Sequence, residues 1–324
     1  MGTVFWEAQR RAQTRTLQYM ILFVVLTLLA AFVAEMAMRT FAADSYGDSG
    51  FPYVGTAFLA VTFLVAGFNY LRYLDSGGRV VAESMGGTLI NPATSNSRER
   101  QLLNIIEELA LAASLPIPPV YIIPAQEINA FAAGTSPENA AIGVTVGTLT
   151  LLNRDELQGV LAHEFGHIYH RDMKVGMRVA AMVMGFFIAS YIGLRLLTSS
   201  AYGYRNRDED RRGGNPVVVI ALIFLAIGAI TWFFGSILQA TVSRQRELLA
   251  DATSVQFTRN PEGLVGALRK IAKMDLSDMP RSGQAFSHLY FNEHPSFWAR
   301  LFATHPPIEE RIGAILSDKS ESAH

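Results

Sequence analysis

The chain has 324 residues, 27 basic against 28 acidic, no cysteine, and a composition 50% hydrophobic and 17% charged, with mean hydropathy +0.23. The charge balance offers no global attraction to nucleic acid, and the missing cysteine excludes disulfides, thiol nucleophiles, Cys-ligated zinc and iron–sulfur clusters. So apolar a chain directs attention to membrane-spanning segments.

A hydrocarbon core roughly 30 Å thick is crossed by about 20 mostly apolar helical residues. Four segments meet that length: Leu17–Met38, Tyr53–Tyr73, Val175–Leu197 and Val217–Ala240. Gly55, Gly67, Gly185, Gly193, Gly228 and Gly235 supply the small residues that let such helices approach closely. The first segment is longer than a signal-peptide core, no small-residue cleavage site follows it, and it reads as an uncleaved anchor. Arg10, Arg11 and Arg15 precede it, whereas residues 41–52 carry Asp44 and Asp48 and no Lys or Arg. Basic-residue asymmetry therefore sets the N-terminus and residues 72–174 on the cytoplasmic side. Loop 198–216, with Arg205, Arg207, Arg211 and Arg212, fits an outside position poorly, so segments three and four read either as two full crossings or as a shallow hairpin.

Four stretches follow from this division: residues 1–75 with two spans, 76–174, a span hairpin at 175–240, and 241–324. Asn96 with Glu99 resembles a capping box that opens a helix over Ser97–Ala113, whose Leu102, Ile105, Ile106, Leu109 and Ala113 share one face. Pro116, Pro118 and Pro119 end it. Short strands are expected at Val120–Ile123, about 128–132 and 141–146. A helix begins at Asn153, carries Asp155 and Glu156 in its first turn, and runs on into the third span. Further helices are expected at 241–257, 262–274 and 307–316. The fold class is α+β, mainly helical with a small β-sheet.

The helix from Asn153 carries His163-Glu164-Phe165-Gly166-His167. Residues four apart project from one helix face, so His163 and His167 can share a single zinc ion. Glu164 lies beside the first ligand, angled toward the open side of the metal, where it can take a proton from water. A third ligand is required. His170 is one candidate by proximity, but the spacing of the subclass that uses a later histidine is not present. Glu247 and Asp251 are again four apart and suit a carboxylate ligand plus a carboxylate orienting a ligand histidine. Their spacing alone suits a solvated charged helix end equally well.

The chain resembles the HtpX-type membrane zinc metalloproteases, relatives of the CAAX prenyl protease. The pieces that carry the resemblance are Asn129-Ala130-Phe131-Ala132, His163–His167, Arg244–Asp251 and Thr304-His305-Pro306-Pro307-Ile308-Glu309-Glu310-Arg311-Ile312. The resemblance implies four transmembrane helices and a zincin-like protease domain. It implies that His163, His167 and Glu247 bind one zinc ion (Zn2+), that Glu164 is the general base, and that Asp251 and Arg311 support the site. His305 is implied to stabilise the developing oxyanion, and Asn129, Ala130, Phe131 and Ala132 to bind extended substrate at a strand edge. The implied activity is zinc-dependent endoproteolysis of membrane and misfolded proteins at the cytoplasmic face of a prokaryotic plasma (inner) membrane, with a quality-control and stress-response role. Its partners are protein substrates and the lipid bilayer, with no nucleic acid. The stretch 133–147 is less typical of the family, and His288 and His294 match no motif. The competing reading is a membrane scaffold that keeps the protease fold without activity, and the intact His163, Glu164, His167 and Glu247 set argues against it.

Overall fold

The computed structural model describes residues 21, 24–40, 50–203, 216–273 and 307–321. The start of segment Leu17–Met38, most of loops 41–52 and 198–216, and His288, His294 and His305 lie outside the described residues. In chain order the elements are α1 (24–40), α2 (Tyr53–Ser76), α3 (Gly78–Ser84), β1 (Thr88–Leu89), α4 (Ser97–Ala113), β2 (Val120–Ile123) and β3 (Ala130–Ala133). A short 3-10 turn at Pro137–Asn139 leads to β4 (Ala141–Thr145), α5 (Val146–Leu151), α6 (Arg154–Tyr169), α7 (Asp172–Gly203), α8 (Pro216–Thr258), α9 (Pro261–Lys273) and α10 (Ile308–Glu321).

The chain forms two compact units, Met1–Tyr70 with Val179–Leu238, and Leu71–Arg178 with Gln239–His324. Among the described residues, three helical stretches are long and apolar enough to cross a membrane: Tyr53–Ser76, Asp172–Ser199 and Val217–Gly235.

The core of the first unit combines Ala30, Ala31 and Ala34 with Phe58, Phe186 and Phe224, and the Phe58 and Phe224 rings meet edge to face at 5.7 Å. Small residues permit this packing. A methyl group at Gly55, Gly185, Gly193 or Gly228 would fall within 2.7 Å of the backbone of a neighbouring helix, whereas Gly67 faces open space. The buried Glu35 is compensated on both oxygens: Oε1 accepts from Arg39 at 2.8 Å, and Oε2 accepts from Val54 and Gly55 N–H at 3.2 Å each. Those two amides open α2, where a carboxylate satisfies donors that have no partner within the helix.

In the second unit, α4 forms over the residues its periodicity predicts. Leu102, Ile105, Ile106, Leu109, Ala110 and Ala113 are all buried, and each large aliphatic side chain contributes about 1.5–3 kcal/mol of transfer free energy at most. Asn96 caps it by accepting from Arg98 N–H at 2.9 Å. Glu99 does not return to the Asn96 backbone as a capping box requires; it binds the Thr94 hydroxyl and the Asn96 amide. The sheet runs β1-β2-β4-β3, with β2 and β4 parallel and the outer pairs antiparallel, so β3 is an edge strand.

Two helix boundaries differ from expectation. The helix that opens at Asn153 does not run on into the third span: it stops at Tyr169, and Arg171 turns to φ +59° before α7 begins at Asp172. Conversely, the helix expected at 241–257 is not separate, because Pro216–Thr258 is one helix. No Gly or Pro interrupts the sequence between 236 and 257, so no helix breaker ends it there.

Candidate metal centre

The site is built on α6, and its start is firmly specified. Asn153 accepts from Glu156 N–H at 2.9 Å while Glu156 accepts from Asn153 N–H at 2.8 Å, a reciprocal capping box. Glu156 also receives Lys270 Nζ at 2.6 Å, tying α9 to the same turn. Gly159 and Gly166, seven residues apart, face other helices. A methyl group at Gly159 would lie 2.5 Å from Leu264 N on α9, and one at Gly166 would lie 3.1 Å from Ala250 Cα on α8. Missing side chains thus let α8 come close enough to deliver Glu247 to the histidines.

His163 Nε2 lies 3.2 Å from His167 Nε2 and 3.3 Å from Glu247 Oε2, and His167 Nε2 lies 3.5 Å from Glu247 Oε1. In a tetrahedral site with bonds of about 2.0–2.2 Å, neighbouring donor atoms are separated by about 3.3–3.6 Å. The three residues therefore approach one face of such a tetrahedron, with Glu247 meeting the two rings through different oxygens, and one ligand atom from each lies within 4.8 Å of the others. Their chemistry leads to the same conclusion. His163 Nδ1 is 2.8 Å from Asp251 Oδ1, so the ring donates there and leaves Nε2 as an acceptor. Two imidazole lone pairs and a buried carboxylate converge on one point, an arrangement that calls for a cation. The residues fit a metal ion.

The far side of His163 is a chain of buried charges. Arg311 is fully buried and donates twice to Asp251, from Nε at 2.9 Å and from a terminal nitrogen at 2.6 Å. Burial alone would raise the Asp251 carboxyl, but the Arg311 charge and hydrogen bonds outweigh it and hold the group at about 2. Burial would lower both histidines. The Asp251 and Glu247 carboxylates raise His163 instead, and Asp172 and Glu247 raise His167 further. Both rings thus take up a proton more readily than a free imidazole, in competition with a metal ion.

Glu164 is 4% exposed, and its Oε2 accepts from Ala132 N–H at 2.7 Å. Burial raises its carboxyl above the usual range, opposed by the charges of His163 and His167. Ala132 belongs to the edge strand β3, whose register pairs Phe131 with Gly143 and Ala133 with Ala141. Because backbone groups alternate sides along an antiparallel strand, Ala130 and Ala132 direct theirs toward the open edge and Glu164. Asn129 precedes the strand and is clamped by its backbone: its N–H donates to the Thr145 and Thr148 hydroxyls, and its C=O accepts from Thr148 Oγ1 at 2.7 Å. Both polar atoms of its side-chain amide are buried and have no partner among the described residues. The Phe131 ring lies over Gly143.

The structure thus brings together His163, Glu164, His167, Glu247, Asp251 and Arg311, with Ala132 of β3 against Glu164, whereas the Asn129 backbone is tied to Thr145 and Thr148. His305 lies outside the described residues. His170 is not drawn to the donor cluster; its Nε2 meets the Thr253 hydroxyl at 2.8 Å. Sequence reasoning assigned no role to Asp172 or Arg246. Asp172 lies 3.5 Å from His167 Nδ1, and Arg246 pairs with it at 3.3 Å.

Residues 96–319 match peptidase family M48. A protein named Protease HtpX homolog from Thermoanaerobacter pseudethanolicus is 36% identical over 287 residues, covering 88% of this chain and 93% of its own. A protein of the same name from Dictyoglomus turgidum is 36% identical over 312 residues, covering 95% and 93%. The crystal structure of S. mikatae Ste24p is similar at 17% identity and a TM-score of 0.49, over 89% of this chain and 67% of that one.

Proposed function

Because the chain belongs to peptidase family M48 and is a membrane metalloprotease, we propose that it is a zinc-dependent endopeptidase that cleaves misfolded membrane and membrane-proximal proteins at the cytoplasmic face of a prokaryotic inner membrane. The observation that carries this reading is the convergence of His163 Nε2, His167 Nε2 and the Glu247 carboxylate, with Glu164 beside them. Two imidazoles, one carboxylate and an open fourth position suit zinc in a hydrolytic site.

When bound, zinc supplies Lewis acidity, lowering the pKa of water and polarising the scissile carbonyl. Glu164 is the general base. Its Oε2 is held by Ala132 N–H, and its other oxygen makes no hydrogen bond among the described residues, so one oxygen is left to take a proton and pass it to the leaving amine. The open edge of β3 suits an extended substrate that adds as a further strand, contacting the backbone of Ala130 and Ala132. The unpartnered Asn129 amide would bind the same peptide. His305 is assigned to the developing oxyanion by resemblance to the family. Asp251 and Arg311 hold His163 in the orientation it needs.

The cytoplasmic placement rests on the basic residues before the first span and on the site itself. His163 and His167 precede the third span and Glu247 follows the fourth, so an even number of crossings lies between ligands of one ion.

Glu164→Gln protein, purified in detergent and given unfolded casein, should retain zinc and lose cleavage; cleavage at the wild-type rate would refute the mechanism. Because the chain lacks cysteine, a single one placed at the exposed Ala93 reports sidedness. It should resist an impermeant thiol reagent in intact cells and react after lysis, and labelling of intact cells would reverse the orientation.

A further inference from the structure

Each metal-site histidine has an acid behind it, and each acid has an arginine behind that. Behind His163 stand Asp251 and Arg311. Behind His167 stand Asp172, with Oδ2 at 3.5 Å from Nδ1, and Arg246, whose Nε is 3.3 Å from Asp172 Oδ1 and whose terminal nitrogen donates to the Asp172 carbonyl at 3.1 Å. Arg246 is 8% exposed and immediately precedes the ligand Glu247. Asp172 Oδ2 is buried without a hydrogen-bond partner among the described residues, so an acceptor in need of a donor faces a ring nitrogen that can donate.

We infer that Asp172, fixed by Arg246, is the positioning residue for His167: it holds the ring by Nδ1 and aims Nε2 at the metal. The inference rests on the zinc reading above. A ligand histidine with an unrestrained far nitrogen rotates about its side chain and can present the wrong tautomer. Asp172 reaches this place only because α6 breaks first. In an unbroken helix, a residue five positions after His167 would project about 140° away around the axis. The left-handed Arg171, at φ +59°, turns the chain so that the first residue of α7 lies behind the ring instead.

The two relays differ in tightness, since the His163 contact is 2.8 Å and the His167 contact 3.5 Å. His163 is fully buried, whereas the His167 side chain is 15% exposed. Asp172 therefore restrains the more exposed ligand, the one with more room to move.

The test measures zinc affinity of full-length protein in detergent by competition with a chelator, for wild type, Asp172→Ala, His167→Ala and the double variant. Asp172→Ala should bind zinc roughly 10- to 100-fold more weakly than wild type, the usual consequence of removing such a partner. In the His167→Ala background, where no ring remains to be held, the same change should have almost no further effect. An equal loss in both backgrounds would overturn the inference, because it would mark a general structural defect. Wild-type affinity in Asp172→Ala would also overturn it. Should Asp172→Ala fail to fold, Asp172→Asn serves in the same cycle, since its amide keeps the volume and one acceptor; it should fall between wild type and His167→Ala and show the same coupling. If the wild-type protein binds no zinc, the proposed function fails and this inference with it, whereas zinc binding without the Asp172 coupling sinks this inference alone.

Discussion

Replacing Gly166 with Ala separates metal geometry from stability. The added methyl would lie 3.1 Å from Ala250 Cα, 3.2 Å from its carbonyl oxygen and 3.4 Å from its Cβ, where ordinary contact begins near 3.4 Å. Two of the three atoms are backbone, so relief requires α8 to retreat by a few tenths of an ångström. Ala250 lies between Glu247 and Asp251 on that helix, so the retreat moves both carboxylates away from His163 and His167. Metal–ligand distances tolerate about 0.2 Å, and zinc affinity should fall by roughly tenfold or more. Stability moves much less: overpacking costs about 1–3 kcal/mol, and alanine recovers about 1 kcal/mol over glycine within a helix. A net loss of about 0–2 kcal/mol leaves the protein folded. Gly176→Ala is the matched control, because nothing lies within 4 Å of a methyl there. The assay is zinc competition together with thermal unfolding in detergent. Gly166→Ala should lose affinity with a small change in Tm, while Gly176→Ala should keep its affinity. Unchanged zinc affinity in folded Gly166→Ala protein would refute the idea that this close approach sets the ligand geometry.

Arg311→Leu should destabilise the protein by about 3–5 kcal/mol, because it strands the Asp251 carboxylate without its partner in a buried site. The double variant with Asp251→Asn should recover part of that loss in chemical unfolding, and no recovery would mean that Arg311 acts through packing. Acid should narrow the gap between wild type and Arg311→Leu. The Arg311 guanidinium holds the folded Asp251 carboxyl at about 2, against an ordinary value of 3.8. Its contribution of roughly 2 kcal/mol is therefore complete above pH 3.8 and is lost as pH falls through about 2. Melts of zinc-free protein from pH 5 to pH 2 check this, and a gap that stays constant or widens toward acid would contradict it.

Much of the site was legible in the chain because its signals are local. His163, Glu164 and His167 lie on one helix whose period alone places both imidazoles on one face, and Asn153 with Glu156 marks where that helix begins. The apolar lengths of Tyr53–Ser76, Asp172–Ser199 and Val217–Gly235 also needed no tertiary information. Spacing left Glu247 and Asp251 undecided between a ligand pair and a solvated helix end, since a carboxylate's role depends on what stands opposite it. Only the packing of Gly166 on Ala250 brings Glu247 to the histidines, and only a contact sixty residues along the chain sets Arg311 on Asp251. Asp172 was hidden for a conformational reason. A helix read as continuous sends it to the wrong face, and the single left-handed residue at Arg171 reverses that. Periodicity determines which residues share a face. Which faces meet, and where a helix turns aside, is decided by close packing between distant segments.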